Sequence, residues 1–197
     1  MDDEAAAADG QCLSRYLRGE QAAFAQIYDR HDRACYDFIR RLIVPPDDAA
    51  AEDIHQEVWL AVARQAPSFD ATKARFVTWL YTIARNRAMD YLRQRSSQGR
   101  WMTPDADEEL VAAVPADAGW QPEEQLDQQR LGVALAAQLQ DLPLAQRETF
   151  VLFALDDLSL DEVAAITQVG VETAKTRLRY ARSALRAKLS GWKVHHG

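Results

Sequence analysis

The chain has 197 residues and a net charge of −7, with only 8 Gly and 7 Pro. This length is enough to bury a hydrophobic core without a disulfide or metal staple. Turn-forming residues are too few for an all-β protein, and alanine, the best helix former, is abundant, so the composition predicts an all-α protein.

The acidic net charge hides two basic segments. Residues 73–100 contain seven Lys or Arg and one Asp, and residues 172–197 contain seven Lys or Arg and one Glu. Because local basic surfaces rather than net charge attract phosphates, the composition does not exclude a nucleic-acid-binding protein. Two solvated helix faces would give the same charge pattern.

The sequence indicates a cytoplasmic protein. Its first residues, Met1-Asp2-Asp3-Glu4, are acidic where a signal peptide is basic, and no apolar run approaches the length of a membrane span. The two cysteines, Cys12 and Cys35, form no CxxC motif. We therefore expect neither a disulfide framework nor a zinc site.

Three helices are predicted in the first half of the chain. Apolar residues recur at three- and four-residue steps over 20–44, and Pro45-Pro46 ends this helix. The same reasoning predicts helices over 49–65 and 74–95. Periodicity then stops, and residues 103–125 carry seven acids and no base, which is typical of an extended acidic linker.

A second helical segment follows the linker. Ser159-Leu160-Asp161-Glu162 has the form of a capping box, in which the serine and glutamate side chains satisfy each other's backbone N–H groups. It opens a short helix over 160–167, which a turn at 168–170 separates from a long final helix over 171–189. A short helix, a tight turn and a basic helix together indicate a helix-turn-helix.

The final helix has one apolar face, which we expect to pack on its own domain, and a basic stripe that can face a major groove. Arg and Lys can read guanine edges or hold phosphates, Thr can contact a thymine methyl, and Glu can accept from cytosine. An Arg-rich surface helix of a bundle is the alternative. The candidate DNA-contacting residues are Glu172, Thr173, Lys175, Thr176, Arg179 and Arg182.

The helix over 74–95 combines aromatic and cationic residues. Aromatic rings among cations suit unstacked single-stranded bases. Trp79 and Phe76 also lie on the apolar stripe of this helix, so they are better explained as core residues. Asn86 flanks the stripe and is the better candidate for a hydrogen bond to a base edge.

Together these segments resemble the extracytoplasmic-function (ECF) sigma factors, a class of the sigma-70 family. The segment 52–59, Glu-Asp-Ile-His-Gln-Glu-Val-Trp, resembles the one that docks on core RNA polymerase. Residues 76–86 and 90–93 resemble the segment that melts and reads the minus-ten element. Residues 142–164 and 173–179 resemble the minus-thirty-five domain and its recognition helix.

The resemblance implies an all-α chain of two small helical domains joined by an acidic flexible linker. The domains expected from it are an acidic tail over 1–12, sigma region 2 over 13–95, the linker over 96–125, sigma region 4 over 126–190 and a tail over 191–197.

The resemblance also implies three sets of contact residues. Core polymerase would be bound by Asp53, Gln56, Glu57 and Trp59. Minus-ten DNA would be contacted by Phe69, Asp70, Lys73, Arg75, Trp79, Arg85, Asn86 and Arg93. The candidates on the final helix would contact minus-thirty-five DNA.

The implied partners are core RNA polymerase, through its β′ clamp helices and β flap, promoter DNA and an anti-sigma factor. The resemblance implies no catalysis, no cofactor, no metal and no direct insertion into a membrane. Family members usually have Gly where Gln168 and Glu172 stand and Pro near Gly170. We therefore expect Gly170 to take a left-handed conformation in a turn of altered shape.

Two alternatives from other classes stay open at this point. A helix-turn-helix repressor or activator would bind duplex DNA alone, usually as a dimer, but it would leave the Asp53 and Trp79 motifs unexplained. A helical enzyme or metal protein has only His31 and Cys35, one turn apart, and a histidine pair at the tail as candidate ligands. These do not make a set of three or four converging ligands.

Overall fold

The computed structural model describes residues 2–97, 128–154 and 158–190. Most of the segment expected as the acidic linker, and all of the tail over 191–197, lie outside the described residues. Eight helices and no strand run through the described part: α1 Asp2–Leu17, α2 Gln21–Leu42, α3 Asp48–Gln65, α4 Phe76–Ser97, α5 Gln128–Gln140, α6 Leu144–Ala154, α7 Leu160–Thr167 and α8 Val171–Ser190.

The all-α prediction is confirmed, and the chain forms two compact units. The first unit contains α1 to α4, with α1 packed on α2 and α3 packed on α4. The second contains α5, α6 and α8, with both α5 and α6 packed on α8. None of the helices in the described part is long and apolar enough to cross a bilayer.

Helix α1 is the main departure from the predicted elements. Residues 2–12, which belong to the segment expected as an acidic tail, supply most of it. Leu13 is buried, and so is Asp9, whose carboxylate binds Arg30 and lies 2.8 Å from His31 Nε2. A buried carboxylate needs such charged partners, which fix α1 on α2.

The core of the first unit is built from the apolar stripes of α2 and α4. Ile27 and Phe38 are fully buried on α2, as is Leu80 on α4. The ring of Phe38 meets that of Tyr81 edge-on, with centroids 4.9 Å apart. Each such side chain stabilises the fold by roughly 1.5–3 kcal/mol through burial, which holds α4 against α2.

In the second unit, Arg147 of α6 closes the end of α5. Its Nη1 donates to the carbonyls of Gln140, at 3.2 Å, and Leu142, at 3.3 Å. The last carbonyls of a helix have no partner inside the helix, so this side chain replaces the missing bonds. Burial lowers the pKa of Arg147 to about 10. The charge of the neighbouring Glu148 carboxylate opposes this shift but is the smaller effect.

The segment from Ser159 to the start of α8 confirms one prediction and corrects another. The capping box forms: Ser159 N–H donates to Glu162 Oε2 at 3.0 Å, and Glu162 N–H donates to Ser159 Oγ at 3.3 Å. The left-handed residue of the turn, however, is Gln168, with φ of 59°, and Gly170 has no positive φ. Gly170 instead accepts the first backbone bonds of α8, from Thr173 and Ala174.

Candidate polymerase and DNA interfaces

The outer face of α3 carries three of the four residues predicted to bind polymerase. Asp53, Gln56 and Glu57 are exposed. Asp53 and Glu57 also border a groove of about 450 Å³, whose other wall is α4 with Arg87 and Arg93. Asp90 also lines the α4 wall, where it pairs with Arg93, so this wall carries both signs of charge. The Asp53 and Glu57 carboxylates are exposed and are therefore accessible to a cationic partner.

Leu60 lies at the C-terminal end of this acidic face and was not predicted as a site residue. It follows Gln56 by four residues and Glu57 by three, so it shares their side of the helix. Its side chain is 55% exposed, the largest exposure among the described bulky apolar residues. The signal was present in the sequence as an apolar residue out of phase with the buried stripe of α3.

Trp59 does not share the exposed face. It is 6% exposed, and its ring lies 4.8 Å from that of Tyr28. Its indole N–H donates to His55 Nε2 at 3.0 Å. Trp59 was predicted as a polymerase contact. In the structure it is a buried residue that packs α3 on α2 beneath the acidic face.

The start of α3 is tied to α4. The Asp47 carboxylate caps α3 by accepting from the N–H of Ala50 at 3.0 Å, and it accepts from the Tyr91 hydroxyl at 3.0 Å. Arg95 lies 3.8 Å away. The Ala50 and Tyr91 hydrogen bonds and the Arg95 charge hold the pKa of Asp47 below its usual value. This contact fixes the acidic face relative to the basic helix.

Five residues of the predicted minus-ten set cluster at the start of α4. Phe69 packs on Trp79, with ring centroids 5.1 Å apart, and on Phe76, at 6.0 Å. Asp70 shapes the loop by accepting from the N–H and hydroxyl of Thr72, and these bonds hold the pKa of Asp70 below its usual value. The cluster is completed by Lys73, which is exposed, and Arg75, which is half-buried.

The other minus-ten candidates extend along α4. Asn86 is exposed and Arg85 is half-buried. Arg93 is exposed and pairs with Asp90 at 3.1 Å, a surface contact that costs little to exchange for a phosphate. The predicted residues thus lie on one loop and one helix of a single unit, with Trp79 half-buried rather than wholly in the core.

Helix α8 presents most of its predicted DNA-contacting residues to solvent. The exposed members are Glu172, Thr173, Lys175, Thr176 and Arg179. Arg182 is half-buried, with its guanidinium 5.2 Å from the centre of the Phe153 ring on α6. The exposed candidates therefore lie in the first half of α8, whereas Arg182 packs against its own unit.

Comparison with known proteins identifies both units. A family model for sigma-70 region 2 matches residues 27–98, and a model for sigma-70 region 4 matches residues 132–185. The chain is 33% identical over 180 residues to the ECF RNA polymerase sigma factor SigW of Bacillus subtilis, covering 90% of this chain and 94% of the relative. It is 31% identical over 187 residues to the ECF RNA polymerase sigma-E factor of Escherichia coli K12, covering 92% and 94%.

Solved structures are similar to this chain as well. CnrH in complex with the cytosolic domain of CnrY has a TM-score of 0.66 at 25% identity, covering 93% of this chain and 98% of CnrH. The sigma factor RpoE of Bartonella quintana, in complex with the anti-sigma factor NepR, has a TM-score of 0.64 at 25% identity, covering 85% and 96%. With both domain matches in chain order, this protein belongs to the ECF sigma factors, which act in the initiation of transcription and are not enzymes.

Proposed function

We propose that this chain binds core RNA polymerase, directs it to a particular set of promoters and opens the DNA there. The observation that carries the proposal is the surface of the first unit. The first unit carries an acidic face on α3 and an aromatic and cationic cluster at the start of α4. A DNA-binding repressor does not need an acidic face of this kind.

The acidic face of α3 supports docking on the β′ clamp helices of the polymerase. Asp53 and Glu57 offer charge, Gln56 offers hydrogen bonds and Leu60 offers an exposed apolar side chain. Interfaces of this kind combine a desolvated apolar centre with a polar rim that steers association. Trp59 supports this face from within. The second unit is proposed to bind the β flap.

The loop over 69–73 and helix α4 are proposed to hold melted minus-ten DNA. Phe69 and Trp79 supply ring faces, Asn86 can read a base edge, and Asp70 keeps the loop in shape. Stacking of about 1–3 kcal/mol per base offsets the few kcal/mol needed to extrude one base. The cations that can hold phosphates are Lys73, Arg75, Arg85 and Arg93.

The first half of α8 is proposed to read minus-thirty-five duplex DNA. Thr173, Lys175, Thr176 and Arg179 are exposed on one side of a helix that follows a short helix and a turn. Glu172 lies 3.7 Å from Lys175, so it moderates the charge of that lysine before DNA binds. Arg182 contributes less, because its guanidinium is engaged with Phe153.

Control by an anti-sigma factor is proposed from the solved relatives. RpoE of Bartonella quintana is seen with the anti-sigma factor NepR, and CnrH is seen with the cytosolic domain of CnrY. An anti-sigma factor of this protein would cover the surfaces that core polymerase needs. The chain is proposed to work in the cytoplasm, with no cofactor and no membrane insertion of its own.

The test of polymerase docking is charge reversal on α3. We expect Asp53→Arg to weaken binding of core polymerase by at least 10-fold, measured by fluorescence titration of the labelled chain. Asp29→Arg, an exposed reversal on α2, is the matched control and should bind as the parent does. Both variants should unfold at the parent's temperature. Parental affinity in Asp53→Arg would contradict the docking surface.

A further inference from the structure

The side chain of Arg179 on α8 is held by an aromatic ring instead of a carboxylate. Its guanidinium lies over the ring of Tyr180, 5.3 Å from the ring centre. Arg179 is exposed and makes no ion pair with any residue in the described part of the chain, whereas Tyr180 is half-buried. A cation within about 6 Å of a ring centre is attracted by the electron-rich face of the ring. Tyr180 therefore restrains a side chain that otherwise extends into solvent.

Two lysines of α8 are engaged differently. Lys175 lies 3.7 Å from Glu172, and Lys188 lies 2.8 Å from Asp141. An ion pair occupies N–H donors, so it must be broken before the cation can bond to DNA. Contact with a ring face leaves the donors at the edge of a guanidinium free. Arg179 can therefore bond to DNA without giving up its present contact.

Arg179 also lies on the side of α8 that faces away from the core of the second unit. It precedes the fully buried Ala181 by two residues, so the two side chains stand about 160° apart around the helix. Thr176, three residues before Arg179, is exposed on the same side. In a helix-turn-helix the exposed side of the second helix lies in the major groove. The restrained guanidinium is therefore presented to base edges together with Thr176.

We propose that Tyr180 is a positioning residue that holds the guanidinium of Arg179 in place to read one guanine of the minus-thirty-five duplex. Guanine presents O6 and N7 as adjacent acceptors in the major groove, and a planar guanidinium bonds to both at once. Restraining the guanidinium before DNA binds reduces the loss of side-chain freedom that this two-bond contact requires. Tyr180 acts through Arg179 and needs no DNA contact of its own. This inference rests on the proposed function.

The test uses polymerase holoenzyme assembled with the full-length chain, on a promoter mapped from its transcripts. Each guanine of the minus-thirty-five element is replaced in turn by 7-deazaguanine, which lacks the N7 acceptor but still pairs with cytosine, and promoter affinity is measured by competition. Tyr180→Leu removes the ring, Tyr180→Phe keeps it, and Arg179→Met removes the guanidinium. The unfolding temperature of each variant shows whether it is folded.

We expect the parental holoenzyme to lose about 10-fold in affinity when one particular guanine is replaced. At that position the loss should be about 3-fold for Tyr180→Leu, parental for Tyr180→Phe and absent for Arg179→Met. Adding Tyr180→Leu to Arg179→Met should change promoter affinity no further, because the ring acts through the guanidinium.

A parental loss in Tyr180→Leu, a reduced loss in Tyr180→Phe, or a parent that is sensitive at no guanine overturns the proposal. An equal effect of Tyr180→Leu with and without Arg179 also overturns it, because Tyr180 would then contact DNA itself or only support α8. Failure of the proposed function would differ, since the parental holoenzyme would then show no preference for the promoter over unrelated DNA.

Discussion

The guanidinium of Arg177 lies 3.8 Å from the carboxylate of Glu148, which is 2% exposed at the centre of the second unit. Arg177 belongs to the basic helix α8 and is 18% exposed, so it faces α6 rather than solvent. The pair fixes the rotation of α8 about its own axis. That rotation decides which side chains of α8 can enter the major groove of DNA.

Breaking this pair is expected to destabilise the protein. Arg177→Met leaves the Glu148 carboxylate buried beside an apolar group, so we expect the free energy of unfolding to fall by about 2–3 kcal/mol. Urea unfolding measures it. Arg179→Met is the matched control, since Arg179 is exposed on the same helix and should change stability by no more than about 0.5 kcal/mol.

The same two variants are expected to differ in DNA affinity in the reverse order: the variant that keeps stability loses affinity for DNA, and the variant that loses stability keeps it. Arg179→Met removes a proposed groove contact, so we expect the holoenzyme to bind minus-thirty-five duplex about 10-fold more weakly. Arg177→Met should bind nearly as the parent does at temperatures where it is folded. Equal loss of DNA affinity in both variants would show that Arg177 reaches DNA and that the rotation of α8 is misassigned.

The left-handed conformation of Gln168 is expected to cost stability. A residue with a Cβ is strained at φ of 59°, whereas glycine is not. Gln168→Gly should therefore raise the free energy of unfolding by about 0.5–1 kcal/mol. Gly170→Ser should be tolerated, because Gly170 has ordinary φ, open space around it and an N-cap position. Destabilisation by Gly170→Ser with no gain from Gln168→Gly would contradict this turn geometry.

The Asp47 contact predicts a pH dependence. Because the folded pKa of Asp47 lies below its usual value, its contribution to stability is present above that usual value and is lost as the pH falls through the folded pKa. Asp47→Ala should therefore be less stable than the parent at pH 7, and the difference should shrink below about pH 4. Chemical unfolding at several pH values measures it. A difference that is constant with pH would exclude the ionised carboxylate as its source.

The exposed Leu60 predicts an interface effect without a stability effect. Leu60→Ser removes little buried area, so we expect the free energy of unfolding to change by no more than about 0.5 kcal/mol. Affinity for core polymerase should fall about 5-fold, since an apolar contact would be lost from the interface. Leu17→Ser, 49% exposed on α1, is the control and should bind normally. Equal affinities for both variants would remove Leu60 from the interface.

Features fixed by local sequence were predictable. The Ser159–Glu162 capping box formed as expected, because its hydrogen bonds join residues three apart. Helix α2 ends close to the predicted proline stop for the same reason. The sequence also placed Asp53 and Glu57 on an outer face, since helical periodicity alone decides that.

Features that depend on contacts distant in sequence were missed. Helix α1 has little apolar periodicity, and its place depends on Asp9 meeting Arg30 and His31. Trp59 was predicted to bind polymerase, and its burial against Tyr28 depends on a helix that is distant in sequence. The strain at Gln168 was assigned to Gly170 because glycine is the usual residue for that conformation. In each case tertiary packing overrode a local preference.

The most direct measurement of the central claim is transcription from fragmented genomic DNA by purified core polymerase, with and without this protein, mapping the 5′ ends of the transcripts. We expect discrete new start sites that share a two-box sequence upstream, and we expect them to disappear with Asp53→Arg. If no new starts form while the protein alone binds particular duplexes, it acts as a conventional DNA-binding regulator and the proposed function is contradicted.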